Sequence, residues 1–149
     1  MLLVILCGLT TPLYAQWEPE EELMETKAVT VGFLNGGGAL VGADMEFLVT
    51  DRLGLQVGAG FIAFGGAINY HFKPTIRSSF VSLQYWNQGI WNSFSQNAIG
   101  PAFVFRGKKW FTFQLGVAAI LERGPAMPSG YEDVPVMLTY SIGAYFPYK

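Results

Sequence analysis

Two carboxylates and the single histidine of the chain have the chemistry of an acid–base site. Asp44 and Glu46 are two positions apart, so both would point to the same face of an extended strand. Paired carboxylates can serve as the acid and the base of one reaction. His71 is followed by Ser78 and Ser79, and an imidazole can accept the proton of a serine hydroxyl. The side chains of a small hydrolytic site are therefore present.

The same residues have a structural interpretation, which their spacing favours. Seven or eight residues of extended chain place His71 too far from the serines for a hydrogen bond, unless the turn between them folds back. Buried carboxylates need a cationic partner, because a lone charge in a low-dielectric interior is costly. Arg106 is the obvious inward cation, although its side chain could instead extend to the rim. We therefore predict a polar network without catalysis: Asp44, Glu46, Gln56, Asn69, His71, Gln84, Arg106 and Gln114.

Motifs for cofactors, metals or nucleic acids are weak or missing. Cys7 is the only cysteine and lies in the apolar start of the chain, so a processed chain would have no disulfide, thiol nucleophile or cysteine metal site. "GAGFIA" at 58–63 fits the letters of a dinucleotide fingerprint, but no helical pattern follows it. No basic patch with interleaved aromatics indicates nucleic acid. We expect no cofactor, no metal site and no nucleic-acid partner.

The elements that must position the polar residues are strands. Although 51% of the residues are hydrophobic and only 13% are charged, no apolar run after the first dozen residues reaches the ~18 residues of a spanning helix. From residue 28 onward the apolar period is two, in eight runs of about ten residues. One face of each run is bulky and apolar, as with Phe111 and Phe113. The other is small or polar, as with Thr112 and Gln114.

These two faces predict the fold class. A soluble sandwich would show solvent a face rich in Lys and Glu. Glycine and small polar groups instead fit the lumen of a narrow closed barrel, with the bulky face toward lipid. We therefore predict an all-β fold, an eight-stranded antiparallel up-and-down transmembrane β-barrel over residues 28–149. Pro101 lies in the sixth run, so that strand is expected to begin at or after Pro101 or to contain a bulge.

The predicted connections differ at the two ends of the barrel. At one end they are short and basic; at the other, two are long (87–96 and 122–135), as in outer-membrane barrels. In the first long loop Ile90, Trp91 and Phe94 are expected to be exposed, either toward a partner or on the lipid surface. The basic turns would meet anionic headgroups or the acidic tail. Aromatic residues form two expected rims, Tyr70, Phe72, Phe105, Trp110, Phe146 and Tyr148 at the short-turn end and Phe33, Phe61, Phe64, Tyr85 and Trp86 at the other.

The beginning of the chain has the pattern of an export signal. "MLLVILCGLTTPLYAQ" has an apolar core, a proline break and a small residue at Ala15, which predicts a signal peptide at 1–15. Residues 16–27 contain five glutamates. Because such dense like charges repel one another, this segment is expected to be a flexible acidic tail that precedes the first strand.

The end of the chain carries the pattern Ser141, Gly143, Phe146 and Tyr148. It resembles the C-terminal assembly signal of bacterial outer-membrane β-barrels, which the barrel-assembly machinery recognises in that family. Residues 28–148 resemble the small eight-stranded members of the family, of the OmpX/OmpA-type architecture, in length, strand number and loop asymmetry. The resemblance implies a monomer in the outer membrane of a Gram-negative bacterium, with the lipid bilayer and the assembly machinery as partners. Its role would be structural in the envelope or mediated by the loops.

Two other classes of function remain open. Some small barrels of this family are acyltransferases or deacylases that modify lipids, and Asp44, Glu46 and His71 would be the candidate groups for such an enzyme. A soluble lipocalin-like binder would instead turn its apolar face inward around a small ligand. An eight-stranded barrel is too narrow for a porin-like channel.

Overall fold

The computed structural model describes residues 25–90, 93–127 and 134–149. Eight antiparallel strands follow one another around a closed barrel, and the last pairs with the first. This confirms the predicted all-β, up-and-down fold. No helix among the described residues is long and apolar enough to cross a membrane. The strands are β1 (Lys27–Phe33), β2 (Val41–Leu48), β3 (Leu53–Gly60), β4 (Ala63–His71), β5 (Phe80–Ile90), β6 (Ser93–Arg106), β7 (Phe111–Arg123) and β8 (Val136–Tyr148).

Side chains alternate between the outer surface and the lumen along every strand. On β7, Leu115 and Val117 are 47% and 49% exposed, whereas Thr112 and Gln114 are 5% and 8% exposed. Away from the strand ends, the outward positions of the described strands carry no charged side chain. The bulky face is therefore the outer face, and the lumen is filled by small and polar groups.

The described residues of the segment 87–96, which are 87–90 and 93–96, belong to two paired strands, so the long outer loop predicted there is wrong. β5 extends to Ile90 and pairs it with Ser93, and Gly89 pairs with Phe94 on β6. Ile90 and Phe94 are therefore strand residues, while Trp91 lies outside the described residues. Polar side chains of the two strands make cross-strand hydrogen bonds: Asn87 donates to Asn97, and Gln96 donates to Gln88.

β6 begins at Ser93, eight residues before Pro101, so the predicted start at or after Pro101 is wrong and the alternative, an irregularity within the strand, is what the structure has. The ladder with β7 pairs Ile99 and Ala102 but skips Gly100 and Pro101, and its register shifts between Asn97 and Ala98. Proline lacks the N–H that a continuous ladder would use. The strand thus tolerates Pro101 through a local gap in pairing.

Aromatic side chains lie near both ends of the barrel. The six expected at the short-turn end are all exposed, among them Trp110 and Phe146. At the other end Phe33, Phe61 and Phe64 are exposed, but Trp86 is only 9% exposed. Trp86 therefore belongs to the lumen, because it occupies the inward phase of β5, between the outward residues Tyr85 and Asn87.

Candidate functional site

The lumen contains two polar clusters, one around each carboxylate. The Glu46 cluster consists of Glu46, Asn69, His71, Ser82 and Arg106 and lies toward the short turns. The Asp44 cluster consists of Asp44 and the glycine loop, residues 34–40, and lies toward the opposite end. Asp44 and Glu46 share the inward face of β2, yet they have different partners and do not form one acid–base dyad.

Glu46 is almost fully buried and is satisfied by three side chains from two other strands. Its Oε2 lies 2.6 Å from Nη2 of Arg106 on β6. Its Oε1 accepts a 2.5 Å hydrogen bond from Nδ2 of Asn69 and lies 2.9 Å from Nε2 of His71, both on β4. Ser82 on β5 donates to Asn69 at 2.5 Å. The cluster therefore joins four strands around the lumen wall.

Arg106 points into the barrel and does not extend to the rim. Its guanidinium carbon lies 4.9 Å from the ring centroid of Phe80 and 4.8 Å from that of Tyr145. It also donates to the carbonyl of Ile76. Stacking on two rings and pairing with Glu46 compensate the loss of hydration that burial imposes on the cation.

The short-turn end of the lumen is closed by the connection between β4 and β5. Ile76 is fully buried, and the turn is folded by hydrogen bonds from the backbone of Lys73 to Ser78 Oγ and from the backbone of Ser78 to the Thr75 carbonyl. The Tyr145 hydroxyl donates to the Gly107 carbonyl at 2.5 Å in the next turn. The apolar side chain of Ile76 therefore covers the Glu46 cluster at this end of the lumen.

Ile76, Phe80 and Tyr145 are lumen residues that sequence reasoning missed. Tyr145 lies two residues beyond Gly143 and four beyond Ser141 on β8, so the alternation of side chains already predicts that it points inward. Phe80 begins β5 in phase with Ser82 and Gln84. Ile76 lies in a turn, where no period applies, and nothing in its neighbours indicates burial.

The opposite end of the lumen is closed by the glycine loop. Gly36, Gly37 and Gly38 have φ values of 64°, 81° and 81°, which residues with a Cβ rarely adopt. The backbone N–H of Gly36 donates to both carboxylate oxygens of Asp44, at 3.2 Å each. A Cβ on Gly37 would overlap the Phe64 carbonyl of β4. The loop therefore folds across the lumen, and its three central positions require glycine.

Between the two clusters, buried glutamine side chains occupy the lumen. Gln84 on β5 and Gln114 on β7 exchange two hydrogen bonds of 2.9 and 2.8 Å across the inner face of β6. Gln56 accepts a 2.9 Å bond from Asn69 and also lines a cavity of about 10 Å³ beside Asp44. That volume is near the minimum for a single water molecule.

The geometry around His71 does not assemble a serine nucleophile. His71 is fully buried and its ring centroid lies 4.7 Å from that of Phe80. Ser78 donates to the Ser79 carbonyl, and Ser79 accepts from the Arg106 backbone. Ser82 donates to Asn69 instead. In the described part of the chain, no group of three or more His, Cys, Asp or Glu side chains is placed to hold a metal ion.

The residues of the C-terminal pattern divide between the two faces of β8. Ser141 is buried in the lumen, and Gly143 shares its inward phase. Phe146 and Tyr148 are exposed on the outer surface, where Lys27 Nζ lies 5.9 Å from the Tyr148 ring. The pattern thus presents two outward aromatics at the end of the last strand.

The described chain begins at the end of the predicted acidic tail. Residues 1–24, with the predicted signal peptide and most of the tail, lie outside the described residues. Glu25 makes a bidentate pair with Arg77 of the β4–β5 turn, at 2.6 and 2.8 Å. The hydrogen bond to Glu25 raises the pKa of the Arg77 guanidinium above its usual value. β1 begins at Lys27, one residue before the predicted boundary.

Comparison with known proteins adds no family to this description. No protein-family model matches the chain, and searches of curated proteins and of solved structures give no match either.

Proposed function

We propose that this protein is a monomeric outer-membrane barrel of a Gram-negative bacterium, with a closed lumen and a structural, non-catalytic role in the envelope. The observation that carries the proposal is the apolar outer face. Among the described residues, 34 large hydrophobic side chains are exposed, and they surround the whole barrel. A surface patch of that extent on a soluble monomer would drive association, whereas in a bilayer it would meet hydrocarbon.

The length of the last strand, β8, supports the same proposal. On β8 the outward residues run from Val136 to Tyr148. Twelve steps of about 3.3 Å, tilted by about 40°, cover roughly 30 Å along a membrane normal. That matches the thickness of a hydrocarbon core, about 30 Å. Rings such as Trp110 and Tyr148 lie at one end of this band, where aromatic side chains favour the membrane interface.

The filled lumen argues against the other classes of function. A lipocalin-like binder needs an apolar cavity, but the inner face carries Glu46, Arg106 and amide side chains. A lipid-modifying enzyme needs a substrate path to its acid–base groups, whereas Ile76 covers the Glu46 cluster and the glycine loop covers Asp44. Conduction would need an open lumen. The geometry therefore best supports a structural role for the barrel, in which the lumen does not bind a ligand, catalyse a reaction or conduct solutes.

The ends of the chain support export and assembly. The predicted signal peptide would direct the protein across the inner membrane. The outward Phe146 and Tyr148 at the end of β8 present the aromatic side chains by which the barrel-assembly machinery would recognise the last strand.

Refolding tests the proposal directly. The chain without residues 1–15, unfolded in urea, is diluted either into buffer or into phospholipid vesicles. We expect folding only with the vesicles, detected as a band that migrates differently on a gel before and after heating. A monomeric folded protein in plain buffer would refute the membrane proposal and favour the soluble binder.

A pair of substitutions on one strand separates lipid contact from general instability. Leu115 lies near the middle of β7 and Leu121 near its end, and both are exposed. Arginine at a bilayer midplane costs about 2–4 kcal/mol, and near the interface about 0–1 kcal/mol. We expect L115R to lower the free energy of unfolding in vesicles by the larger amount and L121R by the smaller. Equal effects would contradict a bilayer around the barrel.

A further inference from the structure

The cations of this protein are concentrated at one end of the barrel. Of nine Lys and Arg residues in the sequence, Arg106 lies in the lumen and Arg123 ends β7 at the loop end. The other seven lie at the short-turn end, which we call the cationic rim: Lys27, Arg52, Lys73, Arg77, Lys108, Lys109 and Lys149.

Most of the cationic rim has no partner among the described residues. Its described acidic neighbours are Asp51 and Glu25, and Glu25 pairs with Arg77. None of the described carboxylates forms an ion pair with Arg52, Lys73, or the two lysines of the β6–β7 turn. These side chains are exposed. Among the residues that the structure describes, the rim therefore carries more positive than negative charge.

The cationic rim lies directly beside an aromatic belt on the outer surface. Trp110, 56% exposed, follows Lys108 and Lys109 in the same turn, and Tyr148 precedes Lys149. Rings at a membrane interface lie at the level of the headgroups. The neighbouring cations, one or two residues from these rings and on the turn side of them, are then placed at the level of the phosphates, outside the hydrocarbon.

We propose that the cationic rim binds the phosphate groups of anionic phospholipids in the leaflet at the short-turn end. This inference rests on the proposed membrane location. Charge complementarity carries it, because a phosphodiester supplies the negative charge that the described carboxylates do not. The acidic tail is the competing occupant, but its one described contact, between Glu25 and Arg77, leaves the other six cations without an ion pair to any described carboxylate.

Trp110 serves as a built-in reporter for the test. In the variant W17F/W91F, the remaining tryptophans are Trp110 on the rim and Trp86 inside the lumen, where lipid chains do not reach it. The variant is folded into phosphatidylcholine vesicles that contain 30% phosphatidylglycerol. In one sample the phosphatidylglycerol carries brominated chains, and in the other the phosphatidylcholine does. Bromine quenches Trp110 fluorescence by contact, so the ratio of quenching in the two samples measures which lipid is enriched beside Trp110.

We expect Trp110 to be quenched about fivefold more effectively, per lipid, by brominated phosphatidylglycerol, the ratio that corresponds to about 1 kcal/mol for a cation near an anionic leaflet. K108Q/K109Q should reduce the ratio toward one, whereas R123Q, which removes a charge at the opposite end, should leave it unchanged. In 1 M salt, where the Debye length is about 3 Å, the ratio should also approach one. The salt measurement needs no substitution at the rim and therefore holds even if K108Q/K109Q fails to fold.

Three outcomes would overturn the inference. A ratio of one at low salt in a folded protein means that the rim does not select anionic lipid, and the membrane proposal is unaffected. A preference that arises only after Glu18, Glu20, Glu21 and Glu22 are changed to Gln means that the tail occupies the rim. If neither lipid quenches Trp110, the barrel is not in the bilayer, and the proposed function fails as well.

Discussion

The buried pair of Glu46 and Arg106 is the contact whose loss should cost most. Their side chains are each 2% exposed and their atoms Oε2 and Nη2 are 2.6 Å apart. Changing Glu46 to Gln leaves the guanidinium buried without its carboxylate, and changing Arg106 to Met leaves the carboxylate without its cation. Breaking a buried pair in this way costs about 3–5 kcal/mol. Each single variant should lose that amount of unfolding free energy.

The double variant E46Q/R106M distinguishes a buried pair from two unrelated residues. Removing both charges leaves no lone ion, so its loss should be smaller than the sum of the single losses by about 2 kcal/mol or more. The measurement is urea unfolding in vesicles, followed by heat-sensitive gel migration. D51N, a carboxylate-to-amide change on the exposed β2–β3 turn, is the matched control and should stay within about 0.5 kcal/mol of the parent. Single losses below about 1 kcal/mol that add without coupling would refute the reasoning, because exposed pairs behave that way.

Three further substitutions test the closure of the lumen and the tail contact in the same unfolding assay. G37A should lower the free energy of unfolding by more than about 1 kcal/mol, because alanine is strained at a φ of 81° and its methyl group would overlap the Phe64 backbone. An unchanged unfolding midpoint would mean that the loop does not fold inward. I76A should lower the free energy of unfolding by about 2–5 kcal/mol, because the side chain is fully buried. A loss below about 0.5 kcal/mol, as expected for a surface residue, would place Ile76 outside the lumen. E25Q should cost less than about 1 kcal/mol, since its pair with Arg77 is partly exposed, and the loss should vanish in 1 M salt; a larger, salt-independent loss would contradict a surface ion pair.

The barrel could be predicted from the sequence because its signal is local. Alternation with a period of two separates Leu115 from Gln114 without any knowledge of the neighbouring strands. The same rule put Asp44 and Glu46 on one face. Because buried carboxylates are not stable without a counter-charge, their inward position also predicted a nearby cation.

The partners within the lumen could not be predicted in the same way. The hydrogen bond between Glu46 and His71 depends on the register of β2, β3 and β4, which alternation alone does not determine. The inward fold of the 72–79 turn depends on its own hydrogen bonds, so Ile76 gave no periodic signal. Asn87 and Gln96 lie in the segment predicted as a long loop, but their amides are satisfied by hydrogen bonds across β5 and β6, which depend on strand pairing and not on local sequence.

The face of β7 that meets lipid distinguishes a membrane barrel from a soluble one, and spin-label accessibility measures that face directly. Single cysteines would replace Thr112, Phe113, Gln114, Leu115, Val117 and Ala118 in the chain without residues 1–15, which has no other cysteine, after folding into vesicles. Oxygen, which concentrates in hydrocarbon, should relax the labels at 113, 115 and 117 more strongly than those at 112, 114 and 118. Stronger relaxation at the even-numbered positions, or no alternation at all, would contradict a barrel whose bulky side chains face the membrane.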